Sequence, residues 1–313
     1  MGITPTQKGS LRLFQLGGIT VFLHWSWFVV AAWELSQPLV HYQIRAWNAL
    51  EYLALFAIVL LHEFGHALAC RSVGGESDQI VLWPLGGVAY VNPPPRPGPT
   101  LWSIAAGPLV NVVLLLGLSV LDRLGRAHGW WAQDTDFCTW LGSLLLINKA
   151  LLVLNLLPIY PLDGGQILRS LLWFVIGRAR SLLVTAVLGL IGVVGLIAIA
   201  VLAQSVWIGV IAVFILMNCW RGLQAARAMV RLDRLPRHDG FACPACHTGP
   251  PRGDFWRCHQ CGTAFDTFAS NATCPSCTTQ FPLTRCLSCG RLSPMTAWTR
   301  TWSGTPPPIV DVP

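Results

Sequence analysis

The sequence predicts an all-α polytopic membrane protein of about six transmembrane helices, with a short membrane-associated β-hairpin and small zinc-ribbon modules near its C-terminal end. Three observations carry this. The 313-residue chain is 53% hydrophobic and only 11% charged, where a soluble domain carries roughly 25% charged residues. Its apolar residues gather into runs of about 20 residues, the length a helix needs to cross a bilayer. Eight of its eleven cysteines fall after residue 240, in four Cys-x-x-Cys pairs, a spacing that suits zinc. The composition excludes an ordinary soluble domain, and 15 tryptophans suit a chain with many positions at the membrane interface.

Residues 1–16 are partly polar, with Lys8 and Arg12. The first apolar run, about 17–33, reads as a retained membrane helix, because no small-residue cleavage site follows it. The second run, about 48–71, carries His62-Glu63-Phe64-Gly65-His66 in its latter half. Imidazoles four residues apart share one helix face and can hold one Zn²⁺. Glu63 sits beside them, placed to take a proton from a water held there. The pattern alone is weak. Its setting is not, because an acid and two histidines in an uncharged apolar segment mark a functional site.

Residues 78–99 break the helical pattern. Segment 79–91 is β-rich and interrupted by Pro84 and Gly86-Gly87, which reads as a membrane-dipping hairpin or strand pair. The proline-rich link 93–97 excludes helix. The third span, about 101–121, includes Gly107-Pro108, which permits close approach or a kink, and Asn111, a polar group that needs a partner. The fourth span, about 137–157, carries Lys149 and runs into Asn155-Leu156-Leu157-Pro158-Ile159-Tyr160-Pro161-Leu162-Asp163-Gly164-Gly165. Such backbone is tolerated at membrane depth only where it is buried in protein or lines a cavity. A helical stretch follows at about 166–176, then spans at about 182–202 and 206–220.

Arg221, Arg227, Arg231, Arg234 and Arg237 crowd the end of the last span. The positive-inside rule places that tail in the cytosol, and six spans then place the N-terminus there too. In this arrangement His62, His66, Asn111 and Asp163 converge at one depth, near the cytosolic face. A catalytic zinc takes three protein ligands. Asp163 is one of two carboxylates near that depth, the other being Glu63, and is the expected third ligand; the competing reading of Asp163-Gly164 is a plain turn. Lys149 either lines a wet cavity or pairs with a polar neighbour such as Asn148. Cys70, Cys138 and Cys219 read as small buried hydrophobes.

Several separated motifs coincide with one family. The chain resembles the site-2 proteases, intramembrane zinc metalloproteases, and most of all their six-span bacterial and archaeal branch. The matching stretches are His62 through Leu68, Pro84 through Ala89, Ala106 through Asn111, Asn155 through Pro158, and Leu162 through Gly165, in the same order. The resemblance covers residues 17 to about 225. It implies a multi-pass protein of a bacterial cytoplasmic membrane that hydrolyses a peptide bond in or near a transmembrane segment of a membrane-anchored protein. It makes His62, His66 and Asp163 the ligands of a catalytic zinc and Glu63 the general base. Asn111 and Asn155 would lie near the substrate or the oxyanion, and Gly86-Gly87 would help to clamp an unwound substrate strand. The branch often carries a nucleotide-sensing tail, and this chain carries cysteine pairs instead.

The cysteines are Cys243, Cys246, Cys258, Cys261, Cys274, Cys277, Cys286 and Cys289. In a cytosolic tail they read as two structural Cys₄ zinc sites rather than disulfides. Pairing in sequence order is expected, the first two knuckles forming one site and the last two the other. Basic residues in the ribbons are sparse (Arg252, Arg257, Arg285), so the expected partner is a cytosolic protein and not nucleic acid. The expected divisions are a transmembrane domain at 1–225, a basic linker at 226–240, the double Cys₄ region at 241–292 and a flexible tail at 293–313. The competing functions are a catalytically silent metal-binding scaffold that acts through its ribbons, which has no use for an intact Glu63, and a metal transporter, which would spread its ionisable residues through the spans.

Overall fold

The computed structural model describes residues 9–36, 42–83, 86–129 and 135–298. The chain forms two compact units, Met1–Ala226 and Arg227–Pro313. In the first, β1 (Ser10–Leu16) and β2 (Ile19–His24) lead into α1 (Ser26–Ser36), α2 (Arg45–Ser72), β3 (Glu76–Trp83), β4 (Gly86–Asn92), α3 (Pro97–Ala127), α4 (Thr135–Leu156), α5 (Asp163–Ile176), α6 (Arg178–Leu202) and most of α7 (Val206–Asp233), whose last residues belong to the second. Among the described residues five helices, α2, α3, α4, α6 and α7, are long and apolar enough to cross a membrane.

The first apolar run differs from its expected form. Its first half is strand, and the helix that follows has 11 residues, ~16 Å at ~1.5 Å per residue. The run still travels alongside α2. At one end Arg71 donates to the carbonyls of Gly17 and Gly18. At the other, Tyr52 Oη donates to Trp27 O at 2.7 Å. Arg71 to Tyr52 is ~28 Å of helix, and the chain from Gly18 to Trp27 covers a similar distance at ~3.3 Å per extended residue. A strand at this depth needs both edges paired. β2 has that, with β1 antiparallel on one side and β3 parallel on the other, and its Ile19 and Val21 are fully buried.

The expected hairpin is present as β3 and β4, with Pro84 and Leu85 outside the described residues. It is half of a four-stranded sheet of order β1-β2-β3-β4, so β4 is an edge strand. Between α4 and α5 the chain leaves helical geometry as expected. Ile159, Tyr160 and Leu162 pack, half-buried, against Val193 of α6 and Ile215 and Cys219 of α7, so this irregular backbone is packed against protein on one side.

The second unit begins at Arg227. α7 runs to Asp233, and Arg237 Nη1 donates to Gly249 O at 2.6 Å. Two short hairpins follow, β5 (Trp256–Arg257) with β6 (Ala264–Phe265), and β7 (Leu283–Arg285) with β8 (Leu292–Pro294). Residues 293–298 are not a loose tail. They complete β8 and a 3₁₀ turn, Met295–Trp298, whose Trp298 ring packs on Phe268, Cys243 and Cys286. Residues 299–313 lie outside the described residues.

Candidate metal centres

The latter half of α2 projects His62 and His66 from one face. Their Nε2 atoms lie 3.1 Å apart, and Asp163 Oδ2 lies 3.1 Å from the first and 3.3 Å from the second. Asp163 opens α5 and is brought to the histidines by the turn out of α4. The other ring nitrogens are engaged. His62 Nδ1 donates to Asn111 Oδ1 of α3 at 2.5 Å, and His66 Nδ1 donates to Ser103 O at 2.9 Å. With the protons held on Nδ1, both Nε2 lone pairs point at Asp163 Oδ2. That oxygen is buried and has no hydrogen-bond donor. Three acceptors facing one another without a proton between them suit a divalent cation, and the N₂O set suits zinc with an open position. The three side chains therefore fit a metal ion.

Glu63 is buried beside this cluster, and its Oε2 accepts the Ala89 N–H of β4 at 2.7 Å. That N–H points away from β3, so the unpaired edge of β4 faces the site. Two glycines make the approach possible. A Cβ on Gly107 would fall 2.3 Å from His66 Nε2, and one on Gly87 would fall 2.4 Å from Glu63 Cγ. Gly87 thus lies against the carboxylate, while Gly86 opens the strand with free space around it.

Asn111 spends its polar atoms inside the protein. Its Oδ1 holds His62, its Nδ2 donates to Asn148 Oδ1 at 2.8 Å, and Asn148 Nδ2 donates back to Asn111 O at 2.9 Å. Both asparagines are fully buried, so the Asn111 amide is spent on orienting a histidine. Asn155, half-buried on the last turn of α4, makes none of these bonds. Sequence reasoning missed the parts played by Asn148, the Ser103 carbonyl and the Ala89 N–H. The signal for Asn148 was a lone amide at the depth of Asn111 in a neighbouring span; backbone groups leave none.

The cysteines pair differently from the expected order. Cys243 and Cys246 meet Cys286 and Cys289, and Cys258 and Cys261 meet Cys274 and Cys277. Sγ distances across the two sets are 3.7 Å for Cys243–Cys289 and 3.5 Å for Cys258–Cys277. The inner site is nested inside the outer one. The four knuckles repeat one geometry. The residue after each second cysteine (His247, Gly262, Thr278, Gly290) has positive φ, and its N–H donates to the first cysteine's carbonyl at 2.8–2.9 Å. Trp256 Nε1 donates to Arg285 O at 3.1 Å and ties inner hairpin to outer. Trp256 packs against both clusters and lies edge-on to Phe268 of the outer one, which favours nesting over sequence-order pairing.

The chain is 31% identical over 180 residues to a zinc metalloprotease of Methanocaldococcus jannaschii, covering 58% of this chain and 50% of that protein. It is 28% identical over 257 residues to a putative zinc metalloprotease of Synechocystis, covering 74% of this chain and 64% of that protein. It thus spans between half and two thirds of these relatives' lengths. The solved structure of the site-2 protease from Methanocaldococcus jannaschii aligns at a TM-score of 0.49 and 24% identity, over 68% of this chain and 95% of that one. The model of Peptidase family M50 matches residues 51–123 and 127–218, more than half of the chain and all of the segments that bring His62, His66, Asn111 and Asp163 together. The chain belongs to Peptidase family M50.

Proposed function

We propose that this chain is a zinc metalloendopeptidase that hydrolyses a peptide bond within or near a transmembrane segment of a membrane-anchored protein. The observation that carries this is the meeting of His62 Nε2, His66 Nε2 and Asp163 Oδ2 beside the Glu63 carboxylate. His62, His66 and Asp163 hold the zinc. Bound there, zinc supplies the Lewis acidity that polarises a peptide carbonyl. Glu63 takes the proton of the attacking water and delivers it to the departing amine. The Ala89 N–H fixes one of its oxygens, and Gly87 leaves room beside the other. The edge of β4 takes an unwound substrate stretch as an added strand, which exposes an amide that a helix would shield. Two further zincs hold the nested cysteine sites and are structural, with a cytosolic protein as the partner of that unit. The arginines at the end of α7 support a cytosolic side of a bacterial cytoplasmic membrane for it, and with it the same side for the N-terminus. A silent scaffold has no need of a carboxylate held in place by Ala89.

The test uses detergent-purified protein and a single-span reporter whose helix carries a helix-breaking pair. Glu63→Gln abolishes cleavage and retains zinc, and Asp163→Ala lowers zinc per chain from three to two. Cleavage by Glu63→Gln at the normal rate would sink the proposal. Two zincs in both wild type and Asp163→Ala would leave the membrane site without its metal.

A further inference from the structure

Lys149 plays no part in the metal site. It is exposed on α4, one residue after Asn148, and lines a groove of about 480 Å³ between α3 and α4. The groove's other cation is Arg123 of α3. Its walls include Leu116, Val120 and Leu146, which are 62%, 55% and 68% exposed, and its other polar group is the Ser119 hydroxyl. Among the described residues neither cation has an ion pair or a hydrogen bond. The carboxylate next to Arg123 in the chain, Asp122, accepts from Arg126 Nε at 3.0 Å instead. No acid lines the groove.

Two unpaired cations on helices of spanning length need an anion. The helix directions bring them together. α3 and α4 run antiparallel, with Asn111 bonded to Asn148, so Lys149 starts near the level of Asn111. Arg123 lies ~18 Å further along α3 at ~1.5 Å per residue. Helical side chains lean toward the N-terminus of their own helix. Because the helices are antiparallel, Lys149 leans toward Arg123 and Arg123 toward Lys149, and their long stems cover most of that separation. The space left between them suits a single anionic group. Around it the walls are leucine and valine, open outward where the neighbours of a membrane span are lipids.

We propose that this groove binds an anionic phospholipid of the surrounding bilayer, with its phosphate held between Arg123 and Lys149 and an acyl chain laid along Leu116, Val120 and Leu146. The guanidinium and ammonium supply charge-assisted hydrogen bonds to phosphate oxygens. A zwitterionic lipid brings its own cation to the same place and binds less well.

The experiment is native mass spectrometry of the full chain, released from micelles containing phosphatidylglycerol or phosphatidylcholine. The proteins are wild type, Lys149→Met with Arg123→Gln, and Lys149→Arg. Wild type and Lys149→Arg retain phosphatidylglycerol where phosphatidylcholine is stripped, and the double variant binds it roughly tenfold less tightly or worse. Equal retention of the two lipids by wild type, or undiminished retention by the double variant, overturns the proposal. Thermal midpoints separate the sources of phosphate. Added phosphatidylglycerol raises the midpoint of wild type, and an equal rise with inorganic phosphate would assign the groove to a soluble anion and overturn the lipid. If the double variant does not fold, the contrast between the two lipids on wild type and on Lys149→Arg decides.

Discussion

A histidine at this depth is useful only if its proton is on the correct nitrogen. His62 achieves this through side chains from two other helices, because Asn148 holds Asn111, and Asn111 accepts the Nδ1 proton. Asn111→Leu preserves the buried volume and removes the acceptor. The expected result is a 10–100-fold loss of zinc affinity, the usual effect of losing a partner behind a metal ligand. Competition against a chelator of known affinity measures it, and an unchanged affinity would show that the histidine needs no such help. The chemistry-bearing residues were legible because an acid and two histidines stand out in apolar sequence. The task of Asn111 was not, since a lone amide in a span shows that a partner exists but not which side chain it is.

At the scale of elements, β2 is the instructive departure. A short apolar run reads as helix or strand with equal ease, and only pairing with β1 and β3 decides between them. The β-branched and aromatic content of Ile19-Thr20-Val21-Phe22 was the available signal. The knuckles of the second unit rest on local geometry instead. Gly262 has φ of 75° and nothing within 4 Å of a Cβ placed on it. Gly262→Ala therefore creates no clash and still destabilises by about 1 kcal/mol, through the left-handed backbone alone. A denaturant titration that shows no loss would contradict the geometry. Asp266 makes a second test. Burial acts to raise its pKa, but the N–H of Gly253, the His238 ring and the N–H groups of Ala269 and Phe268 outweigh it and hold the carboxyl below the ordinary value. The folded value being the lower one, this stabilisation is complete above the unfolded Asp value of about 3.9 and is lost as the pH falls below it. The stability difference between wild type and Asp266→Asn should shrink over that range. A difference constant with pH would mean that the carboxylate charge contributes nothing.

For the molecule as a whole, the nested cysteines give a test that separates two pairings. Ser in place of both Cys243 and Cys261 removes a ligand from each nested site, so zinc per chain falls by two. Sequence-order pairing would place both residues in one site, and zinc would fall by one. The membrane class, the two-histidine helix with its carboxylate, the broken segment that delivers Asp163, and the zinc chemistry of the tail were all legible along the chain. All of these are properties of composition, spacing and the cost of burying charge, which act over a few neighbouring residues. Folding in three dimensions was needed to show that the first run enters as a strand, that Asn111 serves His62, that Glu63 is held by the edge of β4, and that the outer cysteines enclose the inner ones. Each of those depends on which distant segment fills a neighbouring space, and that is settled by packing, not by local pattern.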